Sequence, residues 1–201
     1  MTDTVIFYHN PRSRAQMVHW MLEEAGAPYE IRPIDFETGE NRQPAFLAIN
    51  PMGKLPTIIH RGVTVTETAA ICAYLADAFP AAGLAPATDD PRRGTWLRWL
   101  FFAAGCFEPA LIDRMFQRPD PGSKGALGYG SYEDVLAALK IALTPGPYIL
   151  GDTFSAADVY VGSEINWAMG FGAPGLKGEP VFEAYVERLK TRPAFLRAAP
   201  P

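Results

Sequence analysis

The chain has little cysteine: two residues in 201, and neither belongs to a CxxC pair or to a metal-ligand spacing. Cys72 ("AAICAYL") and Cys106 ("AAGCFEP") stand among apolar neighbours, so they read as buried, inert thiols of a protein kept in a reducing cytoplasm. The three histidines, His9, His19 and His60, follow no ligand spacing, which gives a metal no support. A basic stripe is also missing. The 18 Lys and Arg are mixed with 22 Asp and Glu for a net charge of −4, so nucleic acid is not an expected partner. No apolar run nears the roughly 18 residues of a membrane span. The start "MTDTVIFYHN" lacks the charged and apolar regions of a signal peptide. What remains is the composition of a soluble globular protein, with length enough for one large core or two small ones.

The first eighty residues alternate between strand and helix patterns. Thr4–Tyr8 is apolar and β-rich. From Pro11 the apolar positions Ala15, Val18, Leu22 and Ala25 step by three and four, predicting a helix that stops at Gly26. Tyr29–Ile34 reads as a second strand, and the helix between the two predicts a right-handed parallel βαβ unit. The polar stretch Glu37–Asn50 carries at most one short helix. "PTIIHRGVTVTE" then alternates around Arg61-Gly62 as a hairpin, and Ile71, Tyr74, Leu75 and Ala78 mark one face of a helix ending at Pro80. The sum is a βαβ-α-ββα arrangement, a small mixed four-stranded sheet covered by helices.

Residues 81–90 lie in "PAAGLAPATDDP", which is proline-rich and aperiodic and reads as a linker between a domain of residues 1–80 and one of residues 91–201. The second domain is expected to be all-α. Trp96, Trp99, Leu100, Ala103 and Phe107 form one helical stripe. Ser131 with Asp134, and Ser155 with Asp158, have the spacing of helix-capping pairs. A last stripe carries Phe182, Tyr185, Val186 and Leu189, and "QRPDPGSKGALGYGS" reads as an excursion between helices.

Three places in the first domain suit polar ligand groups. Asn10-Pro11 reads as an N-cap followed by a proline at the first helical position, an end that favours an anion. In "NPMGKLPTI", a turn at Leu55-Pro56 before a strand would leave the Leu55 N–H and C=O able to bond an extended peptide, with Lys54 beside it for a carboxylate. In "VTETAA", Thr68 opens a helix and suits a carboxylate, while Glu67 suits an ammonium. Each also reads alone as a plain cap or a solvated loop. Together they suit a short peptide that carries a thiolate, a backbone and a zwitterionic end.

That constellation resembles the glutathione transferase superfamily over nearly the whole chain. The strand–"NPRSR"–helix start is similar to the active-site turn of its thioredoxin-like domain, "NPMGKLPTI" to its cis-proline segment, and "TETAAICAYL" to the segment holding the γ-glutamyl end of glutathione. "LGDTFSAADVYV" resembles the family's N-capping segment in the helical domain, and "RPAFLRA" its C-terminal ending. The resemblance implies glutathione as co-substrate, an apolar electrophile as second substrate, detoxification-type conjugation in the cytoplasm, and a homodimer. It implies Lys54, Leu55, Glu67 and Thr68 as glutathione contacts, Pro56 as the cis residue, and Ser155 and Asp158 as structural caps.

At the sulfur end the sequence departs from the family's Ser, Cys or Tyr. Asn10 stands before Pro11, Ser13 lies one turn later, and Tyr8 two residues earlier. Lowering a thiol from about 8.5 by two units needs about 2.7 kcal/mol. One charge-assisted hydrogen bond supplies roughly 1.5–3 kcal/mol, and a helix end about 0.3–1 kcal/mol. One donor therefore suffices, and the order expected is Asn10, Ser13, Tyr8. Tyr8 alternates with Phe7 on the strand, so one of the two faces the core, and burial is the expectation for Tyr8. Asn10 cannot form a mixed disulfide, which disfavours chemistry through a protein thiolate. Trp96, Trp99, Phe102, Phe107 and Phe116 are candidates for an apolar substrate wall, although such stripes are mostly core. Two further readings stay open: glutathione-dependent reduction of a peroxide or disulfide, and a non-catalytic module that keeps the fold.

Overall fold

The computed structural model describes residues 3–119 and 123–199. Contacts divide the chain into two compact units, residues 1–84 with 193–201, and residues 85–192.

The first unit holds a four-stranded mixed sheet in the order β2-β1-β3-β4, formed by β1 (Val5–His9), β2 (Tyr29–Pro33), β3 (Thr57–His60) and β4 (Val63–Thr66). β1 runs parallel to β2 and antiparallel to β3, and β3 is antiparallel to β4. Val5 and Phe7 are buried to 0% exposure, as a two-residue period requires, while Tyr8 lies half-buried on the other face against Phe46, ring centroids 5.5 Å apart. The burial expected of Tyr8 falls to Phe7 instead, because Phe7 shares the core face with Val5. The β3–β4 hairpin turns at Arg61 (φ 51°) and Gly62 (φ 81°), the pair of left-handed residues a tight hairpin demands.

Helix α1 (Ala15–Ala25) ends at Gly26 in the left-handed conformation, as its position predicts. Its start differs from the sequence expectation. Asn10 is not its N-cap and Pro11 is not its first residue. The Ser13 N–H (3.1 Å) and hydroxyl (2.7 Å) both donate to the Asn10 carbonyl, so residues 10–13 form a separate turn and the helix begins two residues after it. α2 (Pro44–Leu47) is the short helix of the polar stretch, and α3 (Thr68–Ala78) follows the hairpin.

The last helix, α9 (Pro193–Ala198), belongs by contacts to this first unit and not to the all-α part assigned from sequence. Its Phe195 ring packs edge-on against Trp20 of α1 at 5.1 Å, and Arg197 pairs with Glu23. Long-range packing of this kind leaves no local periodicity to read.

The second unit is helical: α4 (Arg92–Phe102), α5 (Glu108–Met115), α6 (Tyr132–Leu143), α7 (Ala156–Gly170) and α8 (Pro180–Lys190). A single π-turn, Ala103–Phe107, joins α4 to α5. α7 is buried on nearly every side. At Gly162 a Cβ would meet Leu189 Cδ1 of α8, so a larger residue here would force the Leu189 side chain to move. Both capping pairs form as spaced: Ser131 Oγ accepts from Asp134 N–H, and Ser155 and Asp158 make a reciprocal box. Trp96, Trp99 and Phe107 are core of this unit, while Phe102 is half-exposed and Phe116 exposed.

Candidate active site

Strand register brings the three polar places to one end of the sheet. Tyr8 pairs with Thr57, and Thr57 pairs with Thr66. The turn after β1, the loop before β3 and the start of α3 after β4 therefore open at the same edge.

In the turn after β1, Asn10 is buried and its amide is already engaged. Nδ2 donates to the Ile34 carbonyl at 2.8 Å, and Oδ1 accepts from the Arg12 N–H at 2.9 Å. Asn10 thus ties the β1 exit to the β2 exit, which leaves one of its two N–H bonds for anything else. Ser13 Oγ donates to the Asn10 carbonyl and accepts from the Ala15 N–H at 3.1 Å. The next amides of α1 are also taken, Gln16 by the Ser13 carbonyl and Met17 by the Arg14 carbonyl. The helix end therefore has fewer spare donors for an anion than a cap at Asn10 would leave. The Tyr8 hydroxyl has no hydrogen-bond partner among the described residues.

The loop before β3 is organised by Asn50, a residue the sequence reading passed over. Its Nδ2 donates to the Lys54 carbonyl (2.9 Å) and Thr57 Oγ1 (3.0 Å), and its Oδ1 accepts from Met52 N–H (3.0 Å). The readable signal was Asn ahead of Pro-x-Gly, the start of an Asx turn. Gly53 has φ 60°, and a Cβ there would stand 2.6 Å from the Asn41 carbonyl, which pins the loop against that neighbour. The Leu55–Pro56 bond is cis. Leu55 is buried, yet its backbone N–H and C=O have no partner among the described residues. Such a pair of groups is normally satisfied, so a strand-like ligand fits here. The Lys54 side chain is exposed beside it and makes no ion pair with the described residues.

After β4, Glu67 holds φ 63° and ψ 118°, a conformation a non-glycine residue adopts at a cost of about 1–3 kcal/mol. The twist sets Thr68 as the first residue of α3, buried at 7% exposure, with its N–H and hydroxyl unpartnered among the described residues. Those two donors at a helix N-terminus suit a carboxylate. The Glu67 carboxylate is exposed and takes only the Thr66 hydroxyl, at 3.3 Å.

Neither cysteine is poised as a nucleophile. Burial pushes the Cys72 thiol up to about 12 and the Cys106 thiol up as well. Among the described residues no group of three His, Cys, Asp or Glu could hold a metal ion, and no helix is long and apolar enough to cross a membrane.

Comparison with known proteins identifies the family. The sequence profile of the glutathione S-transferase N-terminal domain matches residues 3–77. Glutathione S-transferase 3 of Zea mays is 30% identical over 189 residues, covering 87% of this chain and 83% of its own. A sphingomonad glutathione S-transferase solved in complex with glutathione superposes with a TM-score of 0.77 at 31% identity, covering 96% of each chain. A glutathione transferase of Burkholderia graminis, solved with two glutathione molecules per subunit, has a TM-score of 0.77 at 26% identity and covers 98% of this chain and 87% of its own.

Proposed function

Because the chain belongs to the glutathione S-transferase family, we propose that it conjugates the glutathione thiolate to an electrophilic, apolar small molecule. The observation that carries this reading is the Leu55 backbone, unpaired among the described residues, at the same sheet end as the two Thr68 donors that have no partner among them. In the proposed pose the cysteinyl residue of glutathione pairs with Leu55 next to Pro56. Its γ-glutamyl carboxylate meets the Thr68 N–H and hydroxyl, its ammonium meets Glu67, and its glycyl carboxylate meets Lys54. The sulfur then lies toward the turn of residues 10–13.

Of the three sulfur candidates we assign the donor role to Ser13, whose hydroxyl can swing from the Asn10 carbonyl to a thiolate. Asn10 holds the turn through Ile34 and keeps one N–H in reserve. The thiolate attacks carbon, the C–S bond forms, and the leaving group departs with its electron pair while the thiol proton passes to solvent. The protein's part is binding the tripeptide and stabilising the anion beside its second substrate. A homodimer working in a reducing cytoplasm completes the proposal, in keeping with two free cysteines.

A second reading is supported by one specific observation. The Burkholderia neighbour holds two glutathiones per subunit, and two glutathiones are what reduction of a peroxide or disulfide consumes. Retention on immobilised glutathione together with turnover of an aryl halide supports conjugation. Turnover of hydroperoxides or mixed disulfides alone replaces it with the second reading, and absence of both binding and turnover overturns the two together.

A further inference from the structure

A chain of polar side chains runs from the last helix to the turn that carries Asn10. Arg197 on α9 pairs with the Glu23 carboxylate, whose Oε1 accepts the Tyr29 hydroxyl proton at 2.5 Å. With its proton directed at Glu23, the Tyr29 oxygen is left to accept from His19 Nε2, 2.9 Å away. The His19 ring lies 5.6 Å from the His9 ring, and His9 Nε2 stands 2.9 Å from Gln16 Oε1. His9 immediately precedes Asn10 and Gln16 sits in the first turn of α1, so that last bond spans the whole 10–15 segment. Every member belongs to the first unit.

The element at the far end has two states available. α9 has six residues, too few to hold a helix in water without a surface to dock on. It is either seated, with Phe195 on Trp20 and Arg197 on Glu23, or frayed. We propose that seating of α9 holds the β1–α1 turn in its ligand-receiving shape, with His19 as the positioning residue that joins the two. For glutathione this rests on the reading that the turn receives the sulfur, while the mechanical coupling stands apart from it.

The charges around His19 give the coupling a sign. Facing it are His9 from β1, Glu23 on its own helix, Tyr29 from β2, and Arg197 with the Ala198 carbonyl from α9. Burial and His9 resist a proton on His19 and outweigh Glu23 and the Ala198 carbonyl, so its imidazole titrates below the ordinary value. Of the groups that set its charge, the one contributed by α9, the Ala198 carbonyl, favours a charged ring, so a proton on His19 tightens this contact with the helix.

Amide hydrogen exchange on the full chain tests this. In Arg197→Ala, exchange should quicken in α9 and also in residues 12–17, by about tenfold in the turn, with the β3–β4 hairpin unchanged. Arg197→Lys should restore part of the protection. His19→Gln, which can still donate to Tyr29, should keep more of the turn's protection than His19→Ala, which cannot. Faster exchange confined to α9 in Arg197→Ala, or equal turn protection in His19→Gln and His19→Ala, overturns the proposal. Glutathione affinity should fall about fivefold in Arg197→Ala, the low end of ordinary coupling. If the wild-type chain binds no glutathione, the functional reading fails and the exchange data still decide the coupling.

Discussion

The Asn10 side-chain amide donates to the carbonyl of Ile34 at 2.8 Å, joining the exits of two parallel strands across 24 positions of sequence. That bond makes Asn10 a tie in the scaffold, and it separates two effects that a mutation at the turn would otherwise mix.

Asn10→Ala should leave the Ile34 carbonyl and the Arg12 N–H unsatisfied in a buried place, lowering stability by about 1–3 kcal/mol. Glutathione affinity should drop with it, but the thiol of saturating bound glutathione should titrate close to its wild-type position. Ser13→Ala should do the converse, raising the bound thiol by about one unit, or about 1.4 kcal/mol, with a smaller loss of stability. Thiolate absorbance against pH, read beside chemical denaturation, checks both. If Tyr8→Phe moves the titration and Ser13→Ala does not, the donor is the tyrosine.

Much of the scaffold beneath this site was legible because its determinants are local. Gly26, the Arg61-Gly62 turn and the pairs Ser131/Asp134 and Ser155/Asp158 each act within a few residues, and each does what its position predicts. Asn10 misled for the opposite reason. Asn followed by Pro has the form of a helix cap, but the amide found a carbonyl just past the end of another strand, which no local pattern encodes. The same holds for α9, whose place on α1 is set by Trp20 and Glu23 far upstream. Leu55 and Thr68 were readable as candidates from turn and cap chemistry. That their donors stay open and share one sheet edge is knowledge that only register supplies.

Thr68→Val keeps volume and removes the hydroxyl while the backbone N–H remains. With one of two donors to the proposed carboxylate lost, glutathione affinity should fall about tenfold, near 1.4 kcal/mol. The helix should persist, because Thr68 makes no side-chain bond that the fold uses. Calorimetric titration with glutathione measures it. Unchanged affinity would remove Thr68 from the proposed site.

Glu67 pairs strain with proposed function. Glycine adopts φ 63° freely, so Glu67→Gly should stabilise the protein by about 1 kcal/mol through relief of the backbone. The same change removes the carboxylate proposed to hold the ammonium, so binding of glutathione should weaken. A more stable protein that binds less well is the expected pair of outcomes, and thermal denaturation with and without glutathione reads both. Loss of stability in Glu67→Gly would show that the side chain contributes more to the fold than the strain takes away.

Asp158 predicts a pH dependence of the second unit. Its oxygens accept from the Ile149 N–H (2.8 Å), the Ser155 N–H (2.9 Å), the Ser155 hydroxyl (3.0 Å) and the Tyr185 hydroxyl (3.0 Å). Burial nonetheless outweighs these bonds and pushes the carboxyl up to about 6 from an ordinary 3.8. A carboxyl whose folded value lies above its unfolded one binds its proton more tightly in the native state. Its contribution is therefore complete below about pH 4 and declines as pH rises through about 6, by roughly 3 kcal/mol at most. Asp158→Asn cannot titrate and replaces one acceptor with a donor facing the Ser155 N–H, so it should be less stable than wild type at low pH. The gap should narrow between about pH 4 and about pH 7, because only the wild-type protein loses the proton in that window. Urea denaturation of both proteins across the range isolates this group, since every other carboxyl is common to the two. A gap that widens with rising pH would mean that the four hydrogen bonds, and not burial, set the charge of Asp158.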